Sequence, residues 1–156
     1  MKTTHFFLGA NSAEGFYGLY EQLLDARLYD LLILKGGPGC GKSTFMHRAA
    51  AALEARGAQS VYIHCSGDPN SLDAVFFPAI RTAIVDGTAP HVLEPRYMGA
   101  HERYVDLSPC YDIAAAKETA SGLTALADAY RASYREAYHV LRALGGMDAE
   151  RRALVS

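Results

Sequence analysis

One run of residues has the composition and spacing needed to hold a polyphosphate. It matches the pattern G-x-x-x-x-G-K-S/T at every fixed position, and a second hydroxyl residue, Thr44, follows it. Its members are Gly36, Gly37, Pro38, Gly39, Cys40, Gly41, Lys42 and Ser43. Glycines let the main chain curl with its N–H groups turned toward an anion, and they leave no side chain in the way. This run, here named the phosphate loop, predicts a nucleotide-binding site.

The polar residues that end the phosphate loop have distinct predicted roles. Lys42 would bring a mobile cation to the β- and γ-phosphates, and the Ser43 hydroxyl would be a ligand of Mg2+, a hard cation that prefers oxygen. Thr44 would donate a hydrogen bond to the α-phosphate. A helix that begins here adds free N–H groups and the positive end of its dipole. The alternative is a glycine-rich turn that matches by chance, and the strand-like and helix-like flanks argue against it.

Nucleotide chemistry usually needs a carboxylate that holds Mg2+ through water, and often one that orients the attacking oxygen. Asp86 follows apolar residues 83–85 and is the first candidate, as metal ligand and catalytic residue of the Walker B type. The alternative for Asp86 is an Asp-Gly turn. Asp68 is the second catalytic candidate, against a turn aspartate before Pro69. Asp73 is a weaker third, against an acid in the first turn of a helix.

Five further side chains each have two interpretations, one as a functional residue and one as an ordinary structural residue. His91 is a candidate contact for phosphate or a second substrate, or else it caps a loop. Arg96 and Arg103 are candidate lid cations over the γ-phosphate, or else solvated surface residues. Cys40 and Cys65 either approach each other and gate the site by oxidation, or are two reduced thiols.

The segments around the phosphate loop predict the elements that hold it. Residues 31–34 form a continuous apolar run of the kind found in a strand buried on both faces of a parallel sheet. Residues 43–56 are rich in alanine and stop at Gly57, which predicts a helix. Further strands are predicted at residues 5–9, 60–65, 82–85 and 103–107, helices at residues 14–29 and 71–77, and loop over most of residues 87–112. The assignment of residues 71–77 is ambiguous, and we favour a short helix that is broken near Pro78.

A strand, a phosphate loop and a helix in this order indicate an α/β fold. We predict the three-layer P-loop NTPase fold, with a mainly parallel sheet and the ligand at the carboxyl ends of the strands. Residues 1–112 are the predicted nucleotide-binding domain, and residues 113–156 are a predicted long helix, arm or tail.

The predicted arm carries an apolar stripe at alternating spacings of three and four residues, which Ser133 interrupts and which ends at Gly145 and Gly146. Its members are Leu123, Leu126, Tyr130, Ala137, Val140 and Leu144. Two interpretations are open. The stripe packs on its own domain, or the arm projects as a coiled coil or hairpin.

Composition sets the broad class of the protein. The chain has 156 residues, of which 50% are hydrophobic, which fits one globular domain. Its 15 basic and 17 acidic residues give a net charge of −2, which excludes a strongly basic nucleic-acid footprint. No apolar run approaches the roughly 20 residues that span a bilayer, and no signal-peptide core begins the chain. Three cysteines, an odd number, predict a reducing compartment, the cytoplasm.

Three strings carry a resemblance to a known family. They are residues 31–44, residues 63–73 and residues 84–91, the last reading Ile84-Val85-Asp86-Gly87-Thr88-Ala89-Pro90-His91. With the opening residues 5–9 and 15–17, they resemble a bacterial family of tandem P-loop ATPase-like proteins related to nucleotide kinases. The resemblance covers about residues 5–112. It implies binding of ATP and Mg2+, ATP hydrolysis, and correspondence of this chain to the N-terminal half of a longer protein with a second phosphate loop. Cys40 departs from the small or hydroxyl residue common in such loops.

Three functions from different classes remain open. The first is a Mg2+-dependent ATPase, a nucleoside-triphosphate hydrolase. The second is a small-molecule or nucleotide kinase with Asp68 or Asp86 as acceptor base. The third is a non-catalytic nucleotide-sensing or assembly module. The predicted partners are a nucleoside triphosphate and, through the arm, a protein or second phosphate-loop half, with no nucleic acid and no membrane.

Overall fold

The computed structural model describes residues 3–23, 25, 27–88 and 92–155. The chain divides into two compact units. The first comprises Met1–Gly9 and Gly18–Tyr111, and the second comprises Ala10–Tyr17 and Asp112–Ser156. In chain order the elements are β1 (Thr4–Phe7), β2 (Gly9–Ser12), β3 (Gly15–Gly18), α1 (Tyr20–Leu23), β4 (Asp30–Lys35), α2 (Lys42–Glu54), β5 (Val61–His64), β6 (Leu72–Phe77), β7 (Thr82–Asp86), β8 (Glu102–Asp106), α3 (Ile113–Glu118) and α4 (Ala120–Ala153).

The first unit is built on a six-stranded sheet with the order β1-β5-β6-β7-β4-β8. Strand β4, which leads into the phosphate loop, lies between β7 and β8 and runs parallel to both. Strand β6 runs antiparallel to both of its neighbours, β5 and β7. Helix α2 packs over β6 and β7. The phosphate loop therefore lies at the end of an interior strand, beside the end of β7.

The prediction of a three-layer P-loop NTPase fold with a mainly parallel sheet is wrong. The sheet is mixed, because residues 72–77 form β6 and not the predicted helix. The connection from β5 is too short for the crossover helix that parallel pairing requires. A separate two-stranded antiparallel sheet, β2 with β3, is also present. Among the described residues of the first unit, α2 is the only α-helix longer than four residues.

A second element prediction also fails. The expected helix at residues 14–29 is replaced by β3 and the single turn α1, and Leu24 of that prediction lies outside the described residues. Gly15 has φ +116°, a conformation that helical residues do not adopt and that glycine tolerates. The other predicted elements of this unit are confirmed within a few residues: the strands at 5–9, 31–34, 60–65, 82–85 and 103–107, and the helix at 43–56.

In the second unit, α3 begins at a cap and α4 continues past the predicted end. The Asp112 carboxylate accepts a hydrogen bond of 3.0 Å from the Ala115 N–H. Helix α4 has 34 residues and is about 51 Å long. The prediction that Gly145 and Gly146 end the helix is wrong. A Cβ on Gly145 would lie 2.9 Å from the Cβ of Ala13, so this glycine permits close packing inside a continuing helix.

The apolar stripe of α4 is exposed. Leu126 is 70% exposed and Leu144 is 54% exposed. Both interpretations of the stripe, packing on its own domain and projection as a coiled coil or hairpin, stay predictions. Neither α4 nor any other described helix combines the length and the apolar character needed to cross a bilayer.

The core of the first unit lies between α2 and the sheet. Strand β6 contributes most to it, because all six of its residues are buried. This burial is typical of a central strand with both faces covered. The cluster under α2 is formed by Leu34, Met46, Ala50, Tyr62, Leu72, Val75, Phe77 and Ile84.

Replacing Phe77 tests the central position of β6. Phe77 is 1% exposed, and Phe77→Ala should lower the free energy of unfolding by about 3–5 kcal/mol, because it opens a cavity that the sheet cannot collapse. Urea denaturation followed by circular dichroism measures the change. The control is Phe45→Ala on α2, where the ring is 41% exposed and the expected loss is below about 1 kcal/mol. Equal losses in the two variants would contradict the assignment of residues 72–77 to a buried strand.

Candidate functional site

The phosphate loop connects β4 to α2 and is curled by two glycines in left-handed conformation. Gly39 has φ +79° and Gly41 has φ +90°. Residues with a Cβ rarely adopt these angles, so the pattern of glycines is needed for the curl itself. No described heavy atom lies within 4 Å of the position that a Cβ on either glycine would occupy. The main chain at these two glycines is therefore free of side-chain contacts, and an anion can approach it.

The first two glycines of the loop leave room for neighbouring side chains, which a Cβ would displace. A Cβ on Gly36 would lie 2.6 Å from the Cys40 Sγ, and a Cβ on Gly37 would lie 2.6 Å from the Tyr111 hydroxyl oxygen. The pKa of Tyr111 is raised, first by burial and then by its contact with Cys40. Tyr111 thus packs against the loop from the end of the first unit, a contact that no sequence pattern indicated.

The Lys42 ammonium group lies inside the loop. Its Nζ donates to the carbonyl oxygens of Gly36 at 2.7 Å and Gly37 at 3.1 Å. The same atom lies 3.6 Å from Oδ2 of Asp86. Lys42 is only 8% exposed, and a buried ammonium is costly unless its donors are satisfied. The loop therefore holds one positive charge at its centre, with three oxygen atoms around it.

Asp86 reaches this charge because of the strand order. It ends β7, where its register partner on β4 is Leu34, two residues before the phosphate loop begins. Its Oδ1 accepts from the N–H of Thr88 at 2.9 Å and from the Thr88 hydroxyl at 2.5 Å. These bonds fix the carboxylate so that Oδ2 faces Lys42. The structure therefore brings together Lys42 and the first carboxylate candidate.

Ser43, the predicted metal ligand, lies in the first turn of α2. Its Oγ accepts a 3.0 Å hydrogen bond from the Leu72 N–H, which ties the start of α2 to the start of β6. A hydroxyl oxygen has two lone pairs, so one remains for a cation. Thr44 is exposed on the next position of the helix.

Asp68 has its described contacts in its own turn. Its carboxylate accepts from the N–H of Asn70 at 3.1 Å and from the Ser71 hydroxyl at 2.6 Å. These bonds hold the pKa of Asp68 below its ordinary value. Asp68 follows β5, which is separated from β4 by β6 and β7. Within the described part of the chain, the structure gives it the role of a turn residue.

Asp73, the weaker third candidate, is buried in β6. It is 3% exposed, and its Oδ2 accepts a 2.6 Å hydrogen bond from the Tyr20 hydroxyl. Burial raises the pKa of the nearby Cys65 thiol, and the negative charge of Asp73 raises it further. The sequence signal for this position is a single acid inside the otherwise apolar residues 72–77. Predicting a helix there made the acid an ordinary first-turn residue.

The remaining candidates are dispersed. Arg103 lines a cavity of about 210 Å³ with Asp30 and Thr82, at the amino ends of β4 and β7, away from the phosphate loop. The Arg96 N–H donates to Glu102 at 2.6 Å. His91 lies outside the described residues.

The two thiols considered as a redox pair have different described neighbours. The Cys40 Sγ lies 3.9 Å from the Lys42 Nζ, and Cys65 lies beside Asp73. In the described part of the chain both cysteines are free thiols, as is Cys110. Oxidative gating by this pair stays a prediction.

Comparison of the chain with protein-family models, with curated proteins and with solved structures gives no match. The resemblance of residues 5–112 to the tandem P-loop family therefore stays a prediction based on the quoted residues.

The residues present fit a nucleotide with Mg2+. The loop offers a curled main chain with open space at Gly39 and Gly41, one centred ammonium at Lys42, and the oxygen atoms of Ser43 and Asp86. Oxygen ligands suit Mg2+, and a cation with main-chain N–H groups suits phosphate. These are the kinds of group that a polyphosphate and a hydrated cation beside it would require.

Proposed function

We propose that this protein binds ATP with Mg2+ at the phosphate loop and hydrolyses it. The observation that carries the proposal is the Lys42 ammonium, held inside a glycine-curled loop within 3.6 Å of the Asp86 carboxylate. The proposal rests on the local unit of β4, phosphate loop and α2, and it needs no assignment to a fold class. ATP is preferred over other nucleotides because of the resemblance in the sequence.

Each residue of the loop has a defined part in this proposal. Lys42 exchanges its two carbonyl contacts for the β- and γ-phosphate oxygens, because a phosphate oxygen carries negative charge and attracts the ammonium more strongly than a neutral carbonyl oxygen does. The N–H groups at the start of α2 bind phosphate with the positive end of the helix dipole. The Ser43 hydroxyl ligates the cation through its second lone pair. Asp86 accepts hydrogen bonds from water on that cation.

The bound Mg2+ supplies charge neutralisation at the phosphates. The protein then has to place a water molecule in line with the γ-phosphate and accept its proton. Asp86 lies beside Lys42 and is the carboxylate that can orient this water. The odd number of cysteines favours a reducing compartment, and we place this activity in the cytoplasm.

Calorimetric titration of the full chain with ATP, ADP, AMP and adenosine tests the proposal. Affinity should fall with each phosphate removed, and Mg2+ should tighten ATP binding more than AMP binding, since the loop and the cation contact phosphates only. Phosphate release from ATP then distinguishes hydrolysis from mere sensing. AMP or adenosine binding as tightly as ATP would contradict a site that recognises the triphosphate.

A further inference from the structure

Asp73 is a buried carboxylate at the start of β6. The Tyr20 hydroxyl, 53 positions earlier, donates to it at 2.6 Å, and the Cys65 thiol lies near it. A buried carboxylate costs free energy unless donors surround it. The chain therefore provides a prepared position for this acid.

A β-bulge places Asp73. In the ladder of β5 and β6, Ile63 pairs with Ala74 and His64 pairs with Leu72, so Asp73 is the additional residue between them. Bulges turn a side chain away from the regular alternation of a strand and are frequent beside active sites. Here the bulge lies at the sheet edge where β5 and β7 end.

The sequence neighbours of Asp73 lie beside both predicted metal-binding groups. Asp73 directly follows Leu72, whose N–H donates to the Ser43 Oγ at 3.0 Å. On the other side, Ala74 pairs with Val85, the residue before Asp86. The start of β6 and the end of β7 therefore lie at the same edge of the sheet as the phosphate loop.

Tyr20 contacts Asp73 directly. Its hydroxyl donates the 2.6 Å hydrogen bond to Oδ2 of Asp73, and Tyr20 itself is 7% exposed. A buried donor at this distance can orient the carboxylate.

We propose that Asp73 is the second carboxylate of this site, acting with Asp86 on the hydrated divalent cation bound at Ser43, with Tyr20 as its positioning residue. The inference rests on the proposed function. Two neighbouring carboxylates repel each other, and a divalent cation between them removes that repulsion. Asp73 is thus proposed for the role of second carboxylate candidate, which the sequence analysis assigned to Asp68.

Asp73→Asn tests the inference, because it keeps the shape and the acceptor for Tyr20 and removes the charge. ATP affinity is measured by calorimetry against Mg2+ concentration and again in EDTA. The Mg2+ concentration that gives half of the maximal tightening of ATP binding should rise about tenfold, a change typical of losing a group that orients metal ligands. The ATP affinity in EDTA should be unchanged. Tyr20→Phe should shift Mg2+ dependence in the same direction by less. Asp106→Asn, an exposed aspartate at the end of β8, is the control and should match the wild type.

A wild-type Mg2+ dependence in Asp73→Asn would overturn the inference. A variant that lowers the melting temperature and weakens ATP equally with Mg2+ and in EDTA would also overturn it, since that pattern indicates a structural role. If Asp73→Asn does not fold, Tyr20→Phe decides, and unchanged Mg2+ dependence there counts against the inference. Failure of the wild type to bind ATP in EDTA or in Mg2+ is a different result, which contradicts the proposed function itself.

Discussion

Lys42→Ala should weaken ATP binding by about 100-fold or more, because a charge-assisted bond is worth roughly 1.5–3 kcal/mol and this ammonium serves two phosphates. The structure makes the effect specific. Lys42 is the loop's central cation, 8% exposed, and the main-chain N–H groups that remain carry no full charge. A fluorescent, non-hydrolysable ATP analogue titrated into each variant measures the loss.

The matched control is Lys117→Ala on α3. It removes the same charged group from an exposed position and changes the net charge equally, so its affinity should equal that of the wild type. Thermal unfolding of both variants establishes that they are folded. A folded Lys42→Ala protein that binds the analogue as tightly as Lys117→Ala would refute the site.

Local patterns predicted the unit that carries the candidate site. Residues 31–34 read as a buried strand because four consecutive apolar residues have no polar face to present to water. The helix after the loop could be recognised from its alanine content and from Gly57, which has φ +91° just beyond the end of α2. Both signals lie within a few residues of the element they predict.

The predicted elements that failed depend on tertiary contacts. Residues 72–77 contain an acid and two aromatic residues and have no decisive period, and their burial between β5 and β7 made them a strand. Residues 14–29 have apolar residues near helical spacing. Gly15 and Gly18, the two ends of β3, nevertheless disfavour a helix there, and the spacing of the apolar residues does not take this into account.

The order of the strands in the sheet determines which acid lies near the phosphate loop, and strand order has no signal in the local sequence. Asp68 and Asp86 each follow a strand, and the sequence treats them alike apart from the preceding residues. Only the pairing of β7 with β4 places Asp86 next to Lys42. Asp68 follows β5, which is separated from β4 by β6 and β7. The contact of Tyr20 with Asp73 spans 53 positions and is equally invisible to any sequence window.

Asp86→Asn should lower the rate of ATP hydrolysis by about 100-fold, as expected for loss of a group that orients metal-bound water. Asparagine keeps an oxygen that accepts from the Thr88 N–H, so the turn after β7 should persist. In EDTA, ATP affinity should be unchanged or tighter, because a negative charge beside the phosphates is removed. Phosphate release and analogue binding, measured on the same preparation, separate the two effects.

An aspartate on the other side of β4 provides a matched control for Asp86→Asn. Asp106 ends β8, the second neighbour of β4, and accepts from the N–H and hydroxyl of Ser108 at 2.8 Å, as Asp86 does from Thr88. It differs in being exposed, whereas Asp86 faces Lys42. Asp106→Asn should therefore hydrolyse ATP at the wild-type rate. Equal loss in both variants would mean that the turns after the strands matter and the carboxylate beside Lys42 does not. Loss in Asp86→Asn alone would assign the effect to the charge that faces the phosphate loop.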